Sequence, residues 1–121
     1  MARTRLVVML TAGLEAPERA NQALTVAATA LASGVQVSLW LTGEASWLAT
    51  PGGAEQLVLP HAMPAAELID SVAAAGNVTV CTQCAVRRDL TAEQLRPGAV
   101  IRGSASYVEE ILDDDVQALV Y

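Results

Sequence analysis

Apolar runs alternate along the chain with segments whose apolar positions recur at helical spacing. Residues 5–10 form a nearly continuous apolar run, which is typical of a strand buried on both faces of a parallel sheet. In residues 17–33 the apolar positions recur every three or four residues; Pro17 suits a first helical turn, and Gly34 suits the position just past the last. The alternating segment 35–41 predicts a second strand. The chain therefore begins with a strand, a helix and a strand.

The remaining sequence repeats this alternation. The predicted helices are residues 65–75, 82–88 and 104–112, and the predicted strands are residues 77–81, 99–102 and 116–120. Weaker patterns predict a short helix over 44–49, a strand over 56–59 and a turn over 91–95 that Thr91 caps. Strands that alternate with helices through short Gly- and Pro-marked loops indicate an α/β fold, an open parallel sheet with helices on both faces.

Length and composition indicate one domain, residues 1–121, with a core of small side chains. The hydrophobic fraction is 53%, but the chain has no Phe, two Trp and two Tyr, so Ala and Val supply most of it. Ala-rich helix faces pack closely on a sheet, and the apolar surface left over suits burial in an oligomer. We expect a homo-oligomer.

Charge limits the classes of partner. The formal net charge is −6 and the sequence contains no Lys, whereas neutralising nucleic-acid phosphates requires a surplus of basic residues. No segment has the roughly twenty apolar residues that cross a bilayer, and the apolar run after Arg3 and Arg5 is too short for a signal peptide. We expect a cytoplasmic protein without nucleic-acid or membrane partners.

Both cysteines lie where a predicted strand ends and a predicted helix begins. The unpaired N–H groups of a helix start favour a thiolate, and Cys84 lies about one turn from Cys81. Ligands of open α/β sheets collect at the carboxyl ends of the strands. Candidate ligand-binding residues at that edge are Thr11, Gly13, Thr42, Gly43, Glu44, Arg87 and Arg88. Two plainer interpretations remain open: the cysteines are small buried hydrophobes, and the arginines are solvated cations.

Other chemistry finds little support in the sequence. A structural zinc site needs four ligands, and the chain has two Cys and one His, so we expect no metal and no cofactor. His61 lies between two prolines and is interpreted as a loop residue, and the acidic run 113–115 as a solvated turn. The C-x-x-C pattern has neither the early position nor the neighbours typical of thioredoxins. Thiol chemistry of a carrier or transfer type remains.

A wider set of positions carries a family resemblance. It comprises residues 6–13, Pro17, Ala20, Ala28, Gly34, residues 39–43, and above all residues 78–81 followed by Arg87 and Arg88. In these positions the chain resembles the DsrE/DsrF-like family of small sulfur-relay proteins, which includes TusD-like members. The resemblance implies a three-layer α/β/α sandwich around a parallel five-stranded sheet, assembled as trimers, hexamers or mixed hexamers.

The same resemblance implies roles for individual residues. Cys81 matches the cysteine that carries a persulfide in TusD-like members, Cys84 matches a position that is often cysteine, and Asp89 stands where relay members often have glycine. The leading hypothesis is a sulfur carrier or sulfurtransferase-like protein, with Cys84 resolving the persulfide and Arg87 or Arg88 steadying an anionic donor.

The partners expected for a carrier are sulfur donor and acceptor proteins or small thiols. Two other hypotheses stay open: a non-catalytic oligomeric subunit that binds a small ligand or partner at the same edge, and a redox protein with a reversible Cys81–Cys84 disulfide. Sulfur handling requires that the Cys81 thiol be reachable from water.

Overall fold

A computed structural model describes residues 3–121 and contains a five-stranded sheet in which every neighbouring pair is parallel. The strands are β1 (Arg5–Leu10), β2 (Gln36–Leu41), β3 (Asn77–Cys81), β4 (Ala99–Arg102) and β5 (Val116–Val120), in the spatial order β4-β3-β2-β1-β5. The helices are α1 (Pro17–Ala32), α2 (Ala65–Ala75), α3 (Thr82–Arg87) and α4 (Ser104–Ile111). The α/β class and the predicted three-layer sandwich are confirmed.

The two faces of the sheet carry cores of different size. Inward-facing aliphatic residues of β1, β2 and β3 pack against α1 and α2, with Ala85 of α3 at the end of the same core. The crossovers β1–β2, β2–β3 and β3–β4 all advance in one direction and so lie on one side, whereas the β4–β5 connection returns on the other. Helix α4 therefore covers the second face alone.

Aromatic and charged side chains hold α4 to its face. The Trp40 and Tyr107 rings meet edge to face with centroids 5.2 Å apart, and the Arg102 guanidinium lies 5.2 Å from the Trp40 ring centre. Arg102 also donates hydrogen bonds to Thr79 Oγ1 at 2.9 Å and to Glu110 at 3.2 Å. This second core is thus small and partly polar.

The predicted elements agree with the observed bounds within one residue, apart from the shorter segments. The predicted helix over 44–49 is a 3-10 helix, Gly43–Ala49, and Thr91 caps a further one, Ala92–Gln94, in a capping box with Gln94. The predicted strand over 56–59 is wrong. Leu57 instead donates its N–H to Ala54 O behind the 3-10 helix Ala54–Gln56, and the segment pairs with no strand of the sheet.

The turn after α1 has the conformation that the position of Gly34 in the sequence predicts. Gly34 has φ +88 immediately past the last turn, the conformation that glycine adopts without steric cost.

Within residues 3–121 the helices are all too short or too polar to cross a bilayer.

Candidate functional site

The loops after β1 and β2 and the start of α3 meet at the carboxyl edge of the sheet. Gly43 donates its backbone N–H to Cys84 Sγ at 3.2 Å. Gly43 has φ +56, and a Cβ there would lie 3.0 Å from Thr11 O. A Cβ on Gly13 would lie 2.6 Å from Glu44 O. Both glycines are therefore needed for the close packing that aims an N–H at the Cys84 sulfur.

Both thiols are free and nearly covered in the single chain. Cys81 retains 9% and Cys84 7% of full exposure. Cys81 ends β3, directly before the first residue of α3, and pairs in register with Arg102 of β4. By strand alternation it shares the sheet face of Thr79, the face that α4 covers. Small openings or a local movement must admit any reagent to either sulfur.

The two arginines of the candidate set occupy different environments. Arg88 donates from one terminal nitrogen to Cys84 O at 3.1 Å and from Nε to Glu44 Oε2 at 3.3 Å. Its guanidinium therefore joins α3 to the loop after β2 and is partly neutralised by Glu44. Arg87 is exposed. Of the pair, Arg88 is built into the site and Arg87 is open to water.

The two candidate threonines act on the backbone. Thr11 donates its hydroxyl to Tyr121 O at 2.7 Å, and Thr42 donates its hydroxyl to Leu10 O at 3.3 Å. These bonds tie the strand ends β1, β2 and β5 together. The structure thus places both hydroxyls at the predicted edge but already bonded to main-chain oxygens.

A groove of about 350 Å³ is lined by residues of the loops that follow β1 and β2, Glu44 among them. Glu44 is the member of the candidate set that lines it, together with Leu14, Glu15 and Trp47. Within residues 3–121, the residues that line the groove do not include Cys81 or Cys84. Sequence reasoning missed Leu14, Glu15 and Trp47. The only signal in the sequence for this wall was the presence of an aromatic residue, Trp47, within the short helix predicted over 44–49.

The turn that ends α3 explains an unusual residue of the sequence. Asp89 has φ +54, in the left-handed region, and Leu90 returns its N–H to Ala85 O at 2.9 Å. Glycine favours this conformation, and Asp is among the side chains that tolerate it. Asp89 therefore adopts the left-handed conformation that this turn after α3 requires.

The acidic run 113–115 also makes specific contacts, which the sequence did not indicate. Asp113 pairs with Arg5 at 3.1 Å, and Asp115 accepts hydrogen bonds from the backbone and side chain of Thr4. These bonds lower the pKa of the Asp115 carboxyl below its ordinary value. The run is a turn between α4 and β5 in which Asp113 and Asp114 are exposed, as expected, and two of its aspartates also join the starts of β5 and β1.

No metal centre can be built from the described part of the chain. Within residues 3–121, no three His, Cys, Asp or Glu side chains lie close enough to hold an ion together. His61 is exposed in its loop, with φ +59. The chemistry of the edge is therefore that of two sulfurs, one backbone donor and the Arg88–Glu44 pair.

No curated protein sequence matches the chain. The crystal structure of the ychN protein from E. coli superposes with a TM-score of 0.79 at 17% identity, covering 100% of both chains. A protein of unknown function, MTH1491 from Methanobacterium thermoautotrophicum, superposes with a TM-score of 0.70 at 7% identity, covering 97% of this chain and 98% of that one.

At these identities the structural likeness concerns the fold. The sequence itself matches the model of one family over residues 4–117. Since that match spans nearly all of the 121 residues, the chain belongs to the DsrE/DsrF-like family.

Proposed function

We propose that this protein is a small cytoplasmic sulfur carrier that holds sulfane sulfur as a persulfide on Cys81. Family membership over residues 4–117 supports a function related to sulfur relay. The observation that carries the proposal is the placement of Cys81 at the carboxyl end of β3, three residues before a second free thiol. The partners of such a carrier are a sulfur donor and a sulfur acceptor, either proteins or small thiols.

The transfer step is a thiol–persulfide exchange. The Cys81 thiolate attacks the outer sulfur of a donor persulfide, a new S–S bond forms at Cys81 Sγ, and the donor leaves as its thiolate. An acceptor thiolate then attacks the outer sulfur on Cys81, which restores the Cys81 thiolate. Each exchange conserves the number of S–S bonds, so no external oxidant is needed.

Cys84 is suited to a resolving role. Attack of its thiolate on Cys81 Sγ would expel hydrosulfide and leave a Cys81–Cys84 disulfide, which a thiol reductant must reopen. The Gly43 N–H donates to Cys84 Sγ at 3.2 Å and holds that sulfur at the sheet edge. Arg88 holds the helix turn that presents Cys84, whereas Arg87 is the exposed cation that could meet an anionic donor.

Burial of both thiols favours a second candidate function. A thiol that is nine-tenths covered reacts slowly unless the edge opens. A non-catalytic subunit that binds a small ligand at the same edge needs no reactive sulfur, and the groove beside Glu44 provides space for one. Thiol reactivity in the native protein separates the two functions.

The α4 face supports assembly into an oligomer. Val100 and Val120, at the two edge strands, lie exposed on this face. Polar atoms of Ser38, Trp40 and Glu110 on the same side are buried and, within residues 3–121, have no hydrogen-bond partner. Further copies of the chain could cover this apolar surface, and we propose a homo-oligomer such as a trimer or hexamer.

Sulfur loading is the direct test of the carrier function. The native protein is incubated with glutathione persulfide, and the intact mass and peptide masses are measured without reductant. We expect one added sulfur atom on Cys81 in Cys84→Ser, either that persulfide or the Cys81–Cys84 disulfide left by its resolution in the wild type, and no added sulfur in Cys81→Ser. The Cys84→Ser variant serves as the matched control, since it removes the neighbouring thiol of the same helix turn.

Each other outcome has a clear meaning. Sulfur found on Cys84 alone would show that the carrier residue is assigned wrongly. No loading of either cysteine, with Cys81→Ser indistinguishable from the wild type, would reject the carrier and favour the ligand-binding subunit. A Cys81–Cys84 disulfide that forms and reopens without added sulfur would instead indicate the redox protein.

A further inference from the structure

The groove beside the thiol edge has the size and the walls of a small-molecule site. Its volume of about 350 Å³ lies within the range of ligand pockets. Two apolar side chains that line it, Leu14 and Trp47, remain 41% and 38% exposed. Apolar surface in a concave wall gains free energy when a ligand displaces water from it.

One wall of this groove is tightly built. Thr50 donates both its backbone N–H, at 3.1 Å, and its hydroxyl, at 2.6 Å, to Trp47 O. A Cβ on Gly53 would lie 1.8 Å from the same carbonyl oxygen, so the turn 50–53 packs directly on the Trp47 backbone. Gln56 donates its side-chain N–H to Gly52 O at 3.3 Å. A site held in this way loses little conformational freedom when it binds.

The charge in the groove has one sign. Glu15 and Glu44 line it, and none of the described residues in its wall is basic. Glu15 uses one carboxylate oxygen to accept the Gly13 N–H at 2.6 Å, and Glu44 uses one to accept from Arg88. Each carboxylate keeps a second oxygen that can accept from a ligand. The net charge of −6 adds to the attraction for cations.

We propose that this groove binds small organic cations, namely an ammonium group on an aromatic or aliphatic body. The body covers Leu14 and the Trp47 ring, the ammonium donates to Glu15 and Glu44, and the indole face adds a cation–π attraction. The inference goes beyond the sulfur-carrier proposal and stands independently of it, because neither cysteine contributes to binding.

Calorimetric titration with three probes of similar size tests the ligand class. The probes are 2-phenylethylamine, its neutral analogue 2-phenylethanol and the anionic 3-phenylpropionate. We expect the amine to bind saturably at one site per chain, roughly tenfold more tightly than the alcohol, because only the amine forms charge-assisted bonds and a cation–π contact. The carboxylate should show no saturable binding.

Variants then locate the site. Glu15→Gln and Glu44→Gln remove the charge but keep a side-chain oxygen that can accept from the Gly13 N–H and from Arg88, respectively. Each substitution should weaken amine binding several-fold. Trp47→Ala should abolish binding, while Glu67→Gln, an exposed carboxylate of α2, should leave it unchanged. Thermal unfolding of each variant checks that the fold persists.

Three results would overturn the proposal. The first is an alcohol that binds as tightly as the amine, which would show that charge has no part. The second is wild-type amine affinity in both Glu→Gln variants, which would place binding elsewhere. The third is the absence of saturation by the amine.

Discussion

Arg88 connects the helix turn of Cys84 to the loop that follows β2. Its guanidinium donates one hydrogen bond to Cys84 O, four residues earlier in the sequence, and one to Glu44, 44 residues earlier. The guanidinium is only partly exposed, while the Glu44 side chain is about half exposed. Such a pair contributes modestly to stability. We expect its larger effect to be on the local opening that exposes Cys84 to solvent.

Replacing Arg88 should therefore change thiol access more than global stability. Arg88→Met keeps the aliphatic stem but removes both hydrogen bonds, which together are worth about 1 kcal/mol. We expect Cys84 to react several-fold faster with iodoacetamide, with the rate read by peptide mass spectrometry. Arg87→Met is the matched control, because its side chain is exposed, and it should label at the wild-type rate. Equal rates in the wild type and Arg88→Met would show that Arg88 does not hold the site closed.

Arg96 joins the segment before β4 to two earlier elements. The guanidinium is buried; it donates to Asp70 of α2 at 3.0 and 2.9 Å and to Glu55 at 2.8 and 3.0 Å. Its backbone N–H also donates to Ala49 O at 2.7 Å. These hydrogen bonds lower the pKa of Asp70 and of Glu55 below the ordinary values of 3.8 and 4.5 and raise that of Arg96.

The lowered carboxyl pKa values make stability depend on pH. Stability from this cluster is complete above the unfolded-state pKa values and is lost as the pH falls through them toward the folded-state values. The double variant Glu55→Gln with Asp70→Asn should be less stable than the wild type at pH 7, by roughly 1–2 kcal/mol after allowance for the half-exposed carboxylates. The difference should be smaller at pH 3, below the ordinary values of 3.8 and 4.5, because the carboxyls of the unfolded wild type take up protons there before those of the folded state.

Urea unfolding at pH 7 and pH 3 measures this difference. The control pair Glu67→Gln with Asp114→Asn removes two exposed carboxylates that form no ion pair within residues 3–121. It should follow the wild type at both pH values. A stability gap between the double variant and the wild type that stays constant from pH 7 to pH 3 would contradict the assignment of this pH dependence to Arg96.

Periodicity predicted the elements, but it could not predict how distant loops meet. The run that ends at Cys81 and the pattern that follows it gave β3 and α3, and with them the position of the thiols at the sheet edge. The bond from Gly43 to Cys84 depends on a positive φ and on two segments 41 residues apart. Arg96 likewise reaches a partner 41 residues away. Contacts of this kind leave no local pattern.

At the scale of the whole molecule, the two sheet faces differ in how completely they are covered. Helices α1 and α2 bury one face in the main core, whereas the eight-residue α4 covers the other with a small cluster around Trp40. Val100 and Val120, exposed by 45% and 64%, extend this face on both sides, and Val108 of α4 and Leu112, which directly follows α4, are exposed as well. These four exposed apolar side chains lie on the α4 side of the protein, where a further copy of the chain could cover them.

Assembly of the chain with itself should therefore depend on the α4 face. In sedimentation-velocity experiments we expect the wild type to have the mass of a trimer or hexamer. The double variant Val100→Asp with Val120→Asp should shift it toward monomer, because each charge would have to be buried without a partner in the interface. Val58→Asp is the matched control, since Val58 is 80% exposed in a cavity wall next to α2 and should leave the mass unchanged. Circular dichroism of each variant checks that it is folded. A monomeric wild type, or dissociation by Val58→Asp as well, would show that this face does not join copies of the chain.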